Sequence, residues 1–273
     1  MRKEMKRMNY KNFFGFTKEP FSQEIRIDEL YSTAALKSST ERFLYAVELA
    51  SVSVITGEVG AGKSTTLRYA SSKLHPSQYR PLYVIASTGS VLEILRHICI
   101  ALDVESRSHS ITVLIKTIRD ILIEISQRKQ RAVLVIDEAH LMRLEVFTHL
   151  HTIGQFEMDS KPILPIILSG QNNLIDKLMY HTSRPFASRV VGRSHLEGLK
   201  LKDMSGYLKH HLEIAGLSEQ LFSDEATLAI HQGSGGLLRR ANTLARGALI
   251  AAATEKSQVV SAEHVRIAST EII

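Results

Sequence analysis

Apolar residues fall into two patterns along this chain. Short continuous runs, VSVIT (52–56), PLYVIA (81–86), AVLVID (132–137), ILPIILS (163–169) and VVGRSHLEGL (190–199), alternate with longer stretches of helical spacing over 63–74, 91–102, 111–128, 144–156 and 174–179. Continuous apolar runs suit strands covered on both faces. Strands separated by helices imply a parallel sheet with helices on both sides. After about residue 200 the strand-like runs stop, and helical patterns follow over 204–215, 224–232, 237–254 and 262–269. Gly216 is placed as a C-cap there, and Ser223 and Ser261 as N-caps. The pattern predicts a basic N-terminal arm (1–12), an α/β domain with a five-stranded parallel sheet (13–199) and a small C-terminal helical lid domain (200–273).

The residues between the first strand and the first helix change the picture from architecture to chemistry. Gly57, Glu58, Val59, Gly60, Ala61, Gly62, Lys63 and Ser64, followed by Thr65, match the phosphate loop G-x-x-x-x-G-K-[ST] in the strand–loop–helix context that it requires. Glycines let backbone N–H groups turn inward around phosphates, and the following helix adds its positive end. Lys63 is expected on the β- and γ-phosphates of ATP and Ser64 on Mg²⁺. The run AVLVIDEAH then ends a buried strand in two acids. Asp137 faces the Mg²⁺ shell in this reading, and Glu138 polarises the attacking water. An acid pair beside a phosphate loop favours hydrolysis of ATP over transfer to a substrate.

Three further positions complete the expected site. Ser169 and Gln171, with Asn172 beside them, end the next strand and compete for the role of γ-phosphate sensor. Arg184, Arg189 and Arg193 surround the start of the last strand, where an arginine can reach a neighbouring subunit's γ-phosphate; Arg189 is preferred. Arg239 and Arg240 open a lid helix, where a cation can fold back onto the phosphates of its own subunit; Arg239 is preferred.

Together these phrases resemble an AAA+ P-loop ATPase, and specifically the ATPase domain of general-secretion-pathway protein A (the ExeA type). The likeness runs over about residues 9–270, through YKNFFGFTKEPFS, TGEVGAGKST, VLVIDEAH, FEMDSKPILPIILSGQNNL with SRV, LEIAGL and GSGGLLRRANTLARGAL. Leu238 stands where that group has proline ahead of Arg239. The resemblance implies that FFGFTKEPF runs over the base pocket, with Phe21 or Ile27 near the adenine.

Composition narrows the class. Hydrophobic residues are 44% and charged residues 23% of the 273, as in ordinary globular proteins. The single cysteine, Cys99, reads as a small buried hydrophobe and excludes a disulfide framework. No run approaches the roughly 18 apolar residues of a membrane span, and MRKEMKRMNYK leads into no secretory h-region, so a cytoplasmic protein without membrane contact is expected. Net charge is +6; residues 1–11 hold five cations (Arg2, Lys3, Lys6, Arg7, Lys11) against Glu4, a balance that suits a polyanion. QRKQR (127–131) reads as a solvated turn, and the doublet His210-His211 lacks partners at metal spacing.

Secretion-type members of the resembled group carry a membrane span and a peptidoglycan-binding region, which are not found up to Ile273. The expectation is therefore a freestanding ATPase resembling transposition helpers. It would assemble as a homo-oligomer, ring or filament, on double-stranded DNA without sequence preference, and recruit a transposase. The alternatives are a secretion-type ATPase driving envelope assembly through protein partners, or a nucleotide-dependent signalling or defence switch.

Overall fold

The computed structural model describes residues 10–87, 90–105 and 108–270. Their order is α1 (Tyr10–Phe14), α2 (Ala34–Glu48), β1 (Val52–Gly57), α3 (Lys63–Ser71), β2 (Tyr79–Ile85), α4 (Val91–Ala101), α5 (Ile111–Gln127), β3 (Arg131–Asp137), α6 (Leu144–Ile153), β4 (Ile166–Gly170), α7 (Asn173–Met179), α8 (Arg184–Ala187), β5 (Val190–Leu196), α9 (Leu201–Ile214), α10 (Asp224–Ser234), α11 (Leu238–Thr254) and α12 (Ala262–Thr270). The chain divides into two compact units. Of the described residues, one holds those within Ser32–Val59 and Lys63–Leu196; the other holds those up to Tyr31, Gly60–Gly62 and those from Glu197 onward.

The α/β unit contains the expected parallel sheet, ordered β2-β3-β4-β1-β5, with every recorded pairing parallel. The inner strands β1, β3 and β4 are buried almost throughout, as their uninterrupted apolar runs require. Helix α5 shows how the helices cover them. The Ser110 hydroxyl accepts from Val113 N, and Leu114, Ile118, Leu122 and Ile125 fall on one face at helical spacing and are buried in the core. Cys99 belongs to the same core and is 1% exposed.

Three boundaries differ from the sequence reading for identifiable reasons. β2 begins at Tyr79 and carries Pro81, which an edge strand tolerates because it needs no inward N–H at every position. β4 begins only at Ile166, since Pro165 has no N–H to donate to a ladder. β5 stops at Leu196 instead of running to 199. Helix α2 is an element that the apolar pattern does not predict. Its signals were present: the Thr33 hydroxyl accepts from Leu36 N, and Leu36, Phe43, Ala46 and Val47 are buried.

In the QRKQR turn, Arg131 is not simply solvated. Its Nη1 donates to the carbonyls of Val47 and Glu48, both at 2.8 Å, satisfying the last turn of α2.

The second unit has its own core, built from α9 to α12 together with Phe14, Phe16 and Phe21. Residues 13–31 therefore group with the C-terminal helices, not with the sheet as the sequence division at 199 had it. The reason is visible at Phe21, which is 1% exposed, stacks on His211 at 5.1 Å and meets Phe222 edge-on at 6.0 Å. A ring so enclosed offers no face to adenine, so the role implied for Phe21 is corrected to core packing; Ile27 is only half-buried. Gly216 (φ +95°) follows α9, and the Ser223 hydroxyl caps α10 by accepting from Ala226 N at 3.1 Å. Of the basic arm, residues 1–9 lie outside the described residues, and Lys11 pairs with Glu19 at 3.5 Å.

His211 makes this unit acid-sensitive. Burial, and secondarily the neighbouring His210, push its pKa down to about 4. In the unfolded chain histidine takes its proton near pH 6.5, whereas the folded ring resists it until about 4. The stability this neutral ring permits is thus complete above about pH 6.5 and falls as pH drops toward 4, by about 3 kcal/mol at most. Thermal melting between pH 7.5 and 4.5 is expected to show that loss, and His211→Leu to flatten it. Parallel curves for the two proteins would assign the acid sensitivity elsewhere.

Candidate nucleotide site

The site begins where β1 ends. Gly57 closes the strand, and the chain turns through Gly60 (φ +86°) and Gly62 (φ +97°) before α3 starts at Lys63. Both glycines sit where an L side chain is strained, which is why the loop needs them. Glu58 and Val59 are exposed, Ala61 is buried and Thr65 is half-buried. Lys63 is 7% exposed and donates from Nζ to the carbonyls of Gly57 and Glu58, both at 3.0 Å. Its ammonium is therefore held over the mouth of the loop by groups that phosphate oxygens can replace.

Asp137 at the end of β3 is 3% exposed and fully engaged. Its Oδ2 accepts from Ser64 Oγ at 2.7 Å and from the Tyr83 hydroxyl at 3.1 Å, and its Oδ1 accepts from Glu138 N at 2.9 Å. The serine hydroxyl and the carboxylate thus meet across 73 positions of sequence, brought together by the fold. Such an all-oxygen pair is the donor chemistry that Mg²⁺ takes, with room left for water and phosphate, so the residues present fit the cation. In the sequence Tyr83 is only part of an apolar strand run; burial and the Asp137 carboxylate push its pKa up to about 12, keeping it a neutral donor.

Glu138 leaves the strand in the left-handed region (φ 54°, ψ 29°), an uncommon conformation for a side chain of this size and one that clusters at functional sites. Its side chain is 42% exposed. On β4, Ser169 lies opposite Ile55 of β1 and is fully buried, with no partner for its hydroxyl among the described residues. Gln171 follows at the strand end, half-buried. Asn172 donates from Nδ2 to Glu58 Oε1 at 3.0 Å, a link to the loop that no spacing in the chain predicts.

The arginines separate by position. The Arg189 carbonyl accepts from Val52 N at 3.1 Å and from Ser51 Oγ at 2.6 Å, so Arg189 sits at the start of β1, opposite the phosphate loop. Its guanidinium pairs with Asp159. Arg184 opens α8 and Arg193 lies on β5, both exposed. Arg239 belongs to the second unit, near the start of α11, and its N donates to the Gly60 carbonyl at 3.2 Å. Among the described residues no group of three His, Cys, Asp or Glu could hold a metal, and no helix is long and apolar enough to cross a membrane.

Residues 47–178 match the family model described as "AAA domain". General secretion pathway protein A of Aeromonas hydrophila is 28% identical over 265 residues, 96% of this chain and 48% of that protein. The chain thus spans about half the length of that curated relative. Among solved structures, Cdc6p from Pyrobaculum aerophilum superposes with a TM-score of 0.73 at 16% identity, covering 93% of this chain and 70% of that one. The Aeropyrum pernix ORC1 protein in complex with DNA gives 0.68 at 17% identity, covering 92% and 68%. The structure accordingly has the α/β AAA+ fold, a five-stranded parallel sheet followed by C-terminal helices, and residues 47–178 match the model of an AAA domain, a kind of domain that binds ATP, typically with Mg²⁺.

Proposed function

We propose that this protein is an ATPase of the general-secretion-pathway protein A type, which assembles with ATP and acts on a protein partner of the cell envelope. The observation that carries the reading is the extent of the sequence likeness. The AAA domain match ends at residue 178, whereas the likeness to the secretion protein covers 96% of the chain and so includes the C-terminal helices. A generic nucleotide fold would not require that. The transposition reading favoured by the sequence rested on the basic arm and on the chain's end, neither of which identifies a partner.

In the proposed reaction Lys63 exchanges the Gly57 and Glu58 carbonyls for the β- and γ-phosphates of ATP. Ser64 and Asp137 would hold the cation, while Tyr83 and the Glu138 amide keep the Asp137 carboxylate oriented. Mg²⁺, when bound there, neutralises charge developing on the phosphate oxygens. Glu138 accepts a proton from the attacking water, and Ser169 or Gln171 reads the γ-phosphate. Arg189 of one subunit completes the site of the next, and Arg239 closes it from its own lid.

A second reading, assembly on DNA, is favoured by one observation, the cluster of five cations in residues 1–11. The ORC1 protein described in complex with DNA has a similar fold. One pair of titrations separates the two. Binding to envelope vesicles and to double-stranded DNA is measured with ATP, a non-hydrolysable analogue, ADP and no nucleotide, at two salt concentrations. The envelope reading expects nucleotide-dependent vesicle binding, and DNA binding that falls steeply with salt but is indifferent to nucleotide. ATP-dependent assembly on DNA with no vesicle binding would overturn it in favour of the second.

A further inference from the structure

His140 follows the two acids, and the fold fixes it unusually firmly. A 3₁₀ turn (Ala139–Leu141) folds it back from the end of β3, leaving the side chain 7% exposed. Gly170 at the end of β4 makes the space. A Cβ there would meet His140 N at 2.9 Å, its Cβ at 3.2 Å and its Nδ1 at 3.3 Å. Lys177 of α7 donates from Nζ to the His140 carbonyl, and to that of Met142 at 2.7 Å, pinning the turn from the other side. Burial pushes the pKa of both side chains down, so the imidazole is neutral and has one N–H to give.

That ring has an unmet need. His140 Nδ1 is buried without a hydrogen-bond partner among the described residues, yet it lies 3.3 Å from Glu138 Oε2. The approach has the distance of a contact but not the direction of a hydrogen bond. Glu138, for its part, is 42% exposed and has no other recorded side-chain partner to choose its rotamer. A buried, unsatisfied imidazole nitrogen therefore stands beside a partly exposed carboxylate. A small rotation of the Glu138 side chain satisfies both.

We propose that His140 is a positioning residue, donating Nδ1–H to the Glu138 carboxylate and so holding it in line with the attacking water. The proposal rests on the reading of Glu138 as the hydrolytic base. It assigns no proton transfer to the histidine, which keeps its proton throughout.

His140→Ala, His140→Leu and His140→Asn are compared by steady-state ATP hydrolysis, with thermal melting to verify folding. Misplacement of a reacting group by about 1 Å can cost about 10²-fold, so kcat is expected to fall about ten- to a hundredfold in the alanine and leucine variants, with KM within about twofold. Asparagine, whose amide nitrogen can stand where Nδ1 stood, should recover most of the loss. In a Glu138→Gln background, His140→Ala should add nothing. Equal loss in Asn and Leu variants, or a further loss in that background, would overturn the proposal.

Side-chain ¹⁵N spectra of the histidines supply a test that needs no turnover. With Mg²⁺ and a non-hydrolysable ATP analogue, His140 should carry its proton on Nδ1; a bare Nδ1 would also overturn the proposal. Wild-type protein that never hydrolyses ATP would instead sink the ATPase reading, and the spectra would still test the contact.

Discussion

Glu138→Gln protein is expected to bind ATP and Mg²⁺ as the wild type does and to hydrolyse ATP about 10²–10⁴-fold more slowly, the usual cost of losing one positioned general base. The amide keeps the length and shape of the side chain but cannot take a proton from water. Nucleotide binding should survive because its determinants lie elsewhere: Lys63 on the loop carbonyls, and Ser64 against Asp137. The Glu138 main chain should survive as well, since its N–H to Asp137 Oδ1 belongs to the backbone. The measurements are nucleotide titration and single-turnover hydrolysis. Turnover within about twofold of wild type would make Glu138 a structural residue of the turn, and weakened Mg²⁺ binding would make it a ligand.

The sheet and the phosphate loop were legible because their signals are local. Continuous apolar runs mark buried parallel strands, and the loop's glycines are needed wherever φ is positive, as at Gly60 and Gly62. The meeting of Ser64 with Asp137 was legible for a different reason: a motif implies its partner. What stayed hidden depends on pairings that no spacing encodes. Tyr83 reads as an apolar strand residue until β2 is set beside β3 and its hydroxyl reaches Asp137. Asn172 and Glu58 are 114 positions apart and meet only because β4 lies against β1. Phe21 misled for the opposite reason. An aromatic phrase near the N-terminus fits a base pocket or a core equally well, and only the partners His211 and Phe222 distinguish them. His140 stood inside the most informative phrase of the sequence, yet its burial depends on a glycine from another strand.

Arg189→Ala protein is expected to bind ATP normally and to hydrolyse it about 10³-fold more slowly or worse, the scale of an arginine supplied in trans in related phosphoryl transfers. Geometry excludes a role in its own site. Its carbonyl is bonded to Val52 N at the first residue of β1, and the phosphate loop begins at the sixth. At about 3.3 Å per residue the two ends are roughly 17 Å apart, farther than an arginine side chain extends. The side chain is available to a neighbour, because its present partner, Asp159, is 51% exposed. An ion pair so open to water is worth about 0–1 kcal/mol, little against a phosphate. If the active form is a head-to-tail assembly, mixing Arg189→Ala with Lys63→Ala protein creates interfaces where an intact loop meets an intact arginine. In a random equal mixture about a quarter of the interfaces are of this kind, so activity should rise from near zero toward about a quarter of wild type. Sedimentation would establish that the two variants assemble together. Co-assembly without recovery at any ratio would remove Arg189 from the trans role, and recovery with Arg184→Ala or Arg193→Ala in its place would transfer the role to that arginine.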